Sequence, residues 1–205
     1  MARDGKPTKD KILAASKNLV LSNGFAGTSI DQILEKTGIT KGSFFYHFKT
    51  KNALAKALIE EFARDDMSHL EWALQETEHL KAEPLKRLLQ FVQLFIDMMT
   101  GLKTPHSGCL YASYTNESTQ FDPEIKKCIS DTILVWRSTM ELLLQNVLET
   151  HKMVIDEDIK SLADAFTVVF EGGFVLSKAL NEPELTANQL RHLKNYFQLL
   201  FSEKN

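Results

Sequence analysis

Cysteine is scarce in this chain: Cys109 and Cys128 are the only two among 205 residues. Two cysteines cannot build a disulfide framework, so a reducing, cytoplasmic setting is expected. Proline is also sparse, at five residues, which leaves room for long helices. No apolar run approaches the roughly 18 residues that a membrane helix needs. The opening Met1-Ala2-Arg3-Asp4-Gly5-Lys6 lacks the apolar core of a signal peptide, so no membrane partner is expected. Sustained period-two alternation, internal repeats and low-complexity tracts are all absent. So are HExxH, a nucleophile elbow and a phosphate loop. The histidines are scattered, with His69 and His79 expected on exposed helix faces and His151 in a turn. No catalytic residue, metal site or cofactor is therefore expected.

What is present is the composition of an ordinary globular protein, 43% hydrophobic and 25% charged. Its charge is unevenly spread. The formal total is -3, yet residues 1–50 hold eight lysines and arginines against four carboxylates, a local excess of +4. The remaining residues therefore carry −7. A basic head on an acidic body is the pattern of a protein whose head alone meets a polyanion, although charge runs also arise as plain solvated faces.

The periodicity is helical nearly throughout, which predicts an all-α fold of about nine helices. In the first helix Ile12, Ala15, Leu19 and Val20 share a face, and Asn23-Gly24 ends it. Thr28 is expected as the next N-cap, with Asp31 completing a variant capping box, and Ser29–Lys36 as a helix burying Ile30, Ile33 and Leu34. Thr37-Gly38-Ile39 breaks the chain before a short helix from Thr40 to about Phe48, and Thr50 caps a long helix from Lys51. Further helices are expected from Glu83-Pro84 to about Thr100, from Ser107 to about Ser118, and from Asp122-Pro123-Glu124 to about Glu149. The last two run from Asp156 to about Leu180 and, behind a Thr186/Gln189 capping box, to about Phe201. The division expected is a three-helix head over 1–50 and a helical body over 51–205.

Two short helices joined by Thr37-Gly38-Ile39 match a helix-turn-helix, in which the second helix enters a major groove. Thr40, Lys41, Gly42 and Ser43 give that helix a small-residue start suited to close backbone approach. Gly42 would otherwise cost about 1 kcal/mol relative to alanine. In Phe44-Phe45-Tyr46-His47-Phe48, the i, i+4 pair Phe44 and Phe48 is assigned to the head's core, leaving Phe45, Tyr46 and His47 outward or sideways. Tyr46, His47 and Lys51 carry groups that bind phosphate oxygens. A packed helix corner would explain the aromatic run equally simply.

The segments Gly24-Phe25, Thr28-Ser29-Ile30-Asp31-Gln32-Ile33, Gly38-Ile39-Thr40-Lys41-Gly42-Ser43-Phe44, Tyr46-His47-Phe48 and Lys51-Asn52-Ala53-Leu54 resemble the head of TetR-type repressors over residues 8–60. The resemblance implies a homodimer on a palindromic operator in double-stranded DNA, with a C-terminal effector-binding body. Carried over by position, it implies that Thr28 and Ser29 contact phosphate and that Thr40, Lys41, Gly42 and Ser43 face bases or nearby backbone. Tyr46, His47 and Lys51 would then hold phosphates. Family members often have Tyr where this chain has Phe45, so an apolar contact, such as a thymine methyl, is expected there.

The body is less explicit. Phe91, Phe95, Met98, Met99, Trp136, Met140, Phe166, Phe170 and Phe174 suit either a packed core or the lining of an apolar effector pocket. The segment His106-Ser107-Gly108-Cys109-Leu110-Tyr111 resembles a Gly-Cys-Leu subgroup of TetR-type regulators that includes electrophile sensors. That resemblance implies Cys109 in a helix's first turn, where the dipole favours thiolate, with Lys178 on the inner side of its helix as a partner. The alternative is a small buried cysteine and a surface lysine. Gly172-Gly173 is expected to let helices pack closely, and Cys128 to be packing. The last two helices look like the family's dimer-forming pair. An activator, an effector-independent regulator and a non-specific architectural DNA binder remain alternatives to a repressor.

Overall fold

The computed structural model describes residues 5–203, so Arg3 and Asp4 of the basic head lie outside the described residues. Among the described residues the fold is all-α apart from one pair of short strands. The helices are α1 (Lys6–Asn23), α2 (Ile30–Thr37), α3 (Lys41–His47), α4 (Lys51–Glu76), α5 (Pro84–Met99), α6 (Leu110–Asn116), α7 (Pro123–Thr150), α8 (Ile159–Leu180) and α9 (Leu185–Leu200). Strands β1 (His151–Met153) and β2 (Phe201–Glu203) pair antiparallel, with Lys152 opposite Ser202. His151, expected in a turn, therefore belongs to a strand. Three-residue ladders carry too little alternation to be read from sequence.

Two packing units form. The first runs through Asp65 and includes Ser107–Asp131; the second comprises Asp66–His106 and the chain from Thr132 onward. The boundary expected between residues 50 and 51 falls inside the first unit.

In the first unit α1 buries Ile12, Leu13, Ser16, Val20 and Leu21. The buried stripe is thus displaced from the expected one, with Ala15 and Leu19 only half-buried. The N-cap of α2 is Ser29, not Thr28. Ser29 Oγ accepts from the Gln32 N–H (3.2 Å) and the Ser29 N–H donates to Gln32 Oε1 (2.7 Å), a reciprocal capping box. A glutamine side chain reaches back to the cap's own N–H, whereas Asp31, one position earlier, is not placed to do so. Gly38 then takes a left-handed conformation (φ 66°, ψ 19°) and its N–H closes on the Leu34 carbonyl at 2.7 Å. Thr40 caps α3, accepting from the Ser43 N–H at 3.2 Å, and Thr50 caps α4 through the Ala53 N–H at 3.0 Å.

The second unit packs α8 against α9 and α5 against α9. Gly173 is required there: a Cβ would stand 3.0 Å from Thr186 Cγ2 and 3.1 Å from Thr186 Cα. A Cβ on Gly172 would meet open space, so within the chain it is Gly173 that serves close packing. The same contact overturns the expected start of α9. Thr186 is buried inside the helix rather than capping it, and Glu184 holds the N-cap without a side-chain hydrogen bond. Likewise α8 opens behind Asp158, whose carboxylate accepts from the Ser161 N–H at 2.7 Å, and not at Asp156. Among the described residues no helix is long and apolar enough to cross a membrane.

Candidate nucleic-acid interface

The head is assembled around Phe44 and Phe48. Both are buried, with ring centroids 6.0 Å apart, as their i, i+4 spacing requires. Their burial fixes the rotation of α3 and so decides what that helix shows to solvent. Lys41, Gly42 and Tyr46 are exposed, Tyr46 at 75%; Ser43, Phe45 and His47 are half-buried. Phe45 leans its edge on Phe44 at 5.4 Å, and Tyr46 and His47 meet edge to face at 5.1 Å. A Cβ on Gly42 would have nothing nearer than Thr40 Oγ1 at 4.0 Å. Its absence leaves a notch at the start of α3, where a groove edge or phosphate can approach the backbone.

Ser29 and Thr40 are exposed at the N-termini of α2 and α3. Each hydroxyl already accepts one backbone N–H and keeps its own proton to donate outward. Thr28 is different, and the expected phosphate contact from its side chain is corrected. It is 1% exposed, and its hydroxyl donates to the Gly24 carbonyl at 2.8 Å. Burying that methyl and hydroxyl secures the turn between α1 and α2 and removes them from the surface.

Lys51 is half-buried. Its Nζ donates to the Phe25 carbonyl at 2.6 Å and lies 4.4 Å from the Phe25 ring centroid. Burial pulls its pKa below the usual lysine value, and the negative charge of Glu117 partly opposes that shift. An ammonium has three donors, so two remain for a phosphate.

Glu117, which no motif in the sequence marks, holds the turn between α1 and α2. Its carboxylate accepts from the Phe25 N–H at 2.8 Å and the Ala26 N–H at 2.7 Å. It thereby pins the α1–α2 turn from 92 residues away in sequence. Around it, Tyr114 stacks on Phe121 at 4.2 Å, and both rings meet Phe25. The Tyr114 hydroxyl donates to the Ala55 carbonyl at 3.2 Å. Asn52 donates to Asp122 and Lys56 pairs with Glu124. These partners are remote in sequence and carry no local motif.

The residues expected to sense an effector divide between the two units. Cys109 and Tyr111 belong to the first. Cys109 is the half-buried N-cap of α6 and not a first-turn residue, because the helix begins at Leu110. Tyr111 is buried edge-on against Phe62 at 4.8 Å. In the second unit Phe95 meets Trp136, Phe166 and Phe170 at centroid distances of 5.6, 5.3 and 5.8 Å. Phe174 and Met99 are buried, and Phe174 stacks on His106 at 4.5 Å. Trp136 Nε1 donates to Asp66 Oδ2 at 2.9 Å, so the buried indole N–H is satisfied. Lys178 is exposed in the last turn of α8, which corrects its expected place on the inner side. A helix C-terminus favours a cation at that position.

Comparison with known proteins agrees with this arrangement at both ends of the chain. Residues 12–58 match the model of bacterial regulatory proteins of the tetR family, and residues 84–193 match the tetracyclin repressor-like C-terminal domain. An uncharacterized HTH-type regulator of Lactococcus lactis is 23% identical over 93% of both chains. The HTH-type transcriptional repressor NemR of Escherichia coli is 23% identical over 92% of both. Among solved structures, the regulatory protein TetR from Rhodobacter sphaeroides superposes with a TM-score of 0.74 at 22% identity, covering 91% of this chain and 97% of its own. The reduced form of E. coli NemR does so at 0.66 and 20% identity, covering 97% and 98%. A helix-turn-helix head with a glycine-turned, small-residue α3 and a matching C-terminal domain place this chain in the TetR family of bacterial transcriptional regulators.

Proposed function

We propose that the protein is a homodimeric repressor whose two heads grip a palindromic operator and release it when an effector acts on the body. The observation that carries this reading is the outward face of α3. Lys41, the Gly42 notch and the exposed Tyr46 stand on a helix whose rotation is fixed by buried Phe44 and Phe48. The 75% exposed Tyr46 hydroxyl and the exposed Lys41 ammonium, both on this short helix, suit sugar-phosphate contact. Thr40, Lys41, Gly42, Ser43 and Phe45 read or approach the bases. Ser29, Tyr46, His47 and the two remaining Lys51 donors hold phosphates.

Dimerisation is assigned to the outer face of α8 and α9. Val168, Val175, Leu176, Leu180 and Leu199 are all largely exposed, an apolar surface that a second copy would cover. For release we favour a reactive effector acting at Cys109 in the first unit; the Phe95, Met99, Trp136, Phe170 and Phe174 cluster of the second unit is the apolar candidate for a small-molecule effector. NemR, a repressor to which this chain is similar, has been solved in a reduced form. Cys109→Ser should keep DNA affinity and lose release by hypochlorite, quinones or maleimides; unchanged release in that variant would sink the Cys109 assignment. The operator reading is tested separately: Lys41→Ala and Tyr46→Ala should each weaken operator binding about tenfold, near 1.4 kcal/mol, with unchanged helix content.

A further inference from the structure

We propose that the second unit holds a binding site for a small oxyanion, a carboxylate or phosphate group, at the N-terminus of α5 with Arg87 as its anchor. A cavity of about 200 Å³ lies there, lined by Lys81, Pro84, Arg87, Leu143, Asn146 and Glu149. Arg87 is out of place by ordinary packing rules. It is 9% exposed on the helix that buries Leu88 and Phe91, and a guanidinium stays charged wherever it is put. Among the described residues its one ion pair is long, 3.4 Å from Nη2 to Glu78 Oε2, and its Nε is sealed from solvent without any hydrogen-bond partner. A buried donor on a permanent cation is costly to leave unmade, so an acceptor that reaches it is favoured.

The helix end supplies the second element. Pro84 opens α5 in its first turn, no side chain caps the helix, and no acid follows in that turn. The Glu83 carboxylate is turned to Lys86, at 3.2 and 3.3 Å. The positive end of a 16-residue helix is therefore left beside the cavity without a capping side chain. An oxyanion would take the side-on fork of Arg87, Nε–H and one Nη–H together, in the bidentate geometry that guanidinium favours. Glu78, whose side chain is 56% exposed, would swing aside and release Lys81, its other partner, to face the oxyanion.

The remaining lining restricts the occupant. Asn146 offers an amide, while the Glu149 carboxylate repels a bare anion and accepts from one that brings its own hydroxyl. The cavity is only several times the roughly 30 Å³ share of a liquid water molecule and below the 300–1,000 Å³ of a drug-sized pocket. Hydrogen phosphate or a short hydroxy acid fits these conditions. None of the six lining residues belongs to the aromatic cluster.

The probes are inorganic phosphate and sodium lactate, each titrated into the full chain at ionic strength held constant with NaCl. Melting temperature and the Arg87 Nε–H cross-peak are followed together. The wild type should rise by about 3–5 °C at ten times the dissociation constant, with a saturable cross-peak shift. Arg87→Lys, which keeps the charge and loses the fork, should bind at least tenfold more weakly. Lys81→Gln, at an exposed position that does not threaten folding, should bind several-fold more weakly. A response to phosphate alone assigns the phosphate source, to lactate alone the carboxylate source, and to both the shared oxyanion. The proposal is overturned if NaCl produces the same response, if neither probe moves the Nε–H signal, or if Lys81→Gln responds as the wild type does.

Discussion

Removing the Glu117 carboxylate tests whether the head is held by a residue far along the chain. In Glu117→Ala, the Phe25 and Ala26 N–H groups lose acceptors at 2.8 and 2.7 Å. A hydrogen bond to a charged group is worth about 1.5–3 kcal/mol. The Phe25 bond is part-buried and the Ala26 bond exposed, where water replaces most of the loss. The expected cost is therefore about 2–3 kcal/mol. Gly24 provides the coupled perturbation. It holds φ at 77°, and a Cβ would stand 2.6 Å from Glu117 Oε1. Gly24→Ala should cost about 2 kcal/mol, roughly half from the positive φ and half from displacing the carboxylate. In the Glu117→Ala background that second half disappears, so the double variant should be about 1 kcal/mol better than additive. Urea unfolding followed by circular dichroism reads all four corners of the cycle. A Glu117→Ala cost below about 0.5 kcal/mol, or strict additivity, would show that Glu117 does not hold the α1–α2 turn.

Gly173→Ala should destabilise the second unit by about 1–3 kcal/mol in thermal unfolding, since its Cβ meets Thr186 backbone that cannot rotate away. Val168→Glu combined with Val175→Glu should halve the mass measured by light scattering; an unchanged mass would move the dimer contact elsewhere. Tyr114 gives a pH prediction. Burial, aided by Glu117, pushes its phenol pKa well above the ordinary 10.0. The unfolded phenol ionises first, so the stabilising contribution is intact below pH 10 and falls progressively as pH rises beyond it. Tyr114→Phe should cost about 1 kcal/mol near neutrality through the lost bond to Ala55, yet show a shallower alkaline loss in urea midpoints from pH 8 to 11.

The recognition half of this molecule was legible because its determinants are local. Gly38 must turn left-handed within a few residues of the helix it ends, and Phe44 and Phe48 mark the buried side of α3 by spacing alone. The errors arose where a distant partner decided. Thr28 reads as an N-cap until the Gly24 carbonyl claims its hydroxyl, leaving the role to Ser29 and Gln32. Thr186 reads as a cap until Gly173 packs on it. Cys109 falls one residue outside its helix, and Lys178 faces outward, because neither position is set by its neighbours in sequence. Glu117 left no sequence signal at all, since a lone glutamate after a short helix looks like any exposed acid.

The most direct measurement of the central claim is fluorescence anisotropy with the duplex upstream of the protein's own gene and a scrambled duplex, at several salt concentrations. Saturable binding to the upstream duplex is expected to be at least a hundredfold tighter than to the scrambled one, with affinity falling steeply with salt. The combined Lys41→Ala and Tyr46→Ala substitutions should erase most of that preference. Equal affinity for both duplexes, or a preference untouched by the double substitution, would contradict the claim.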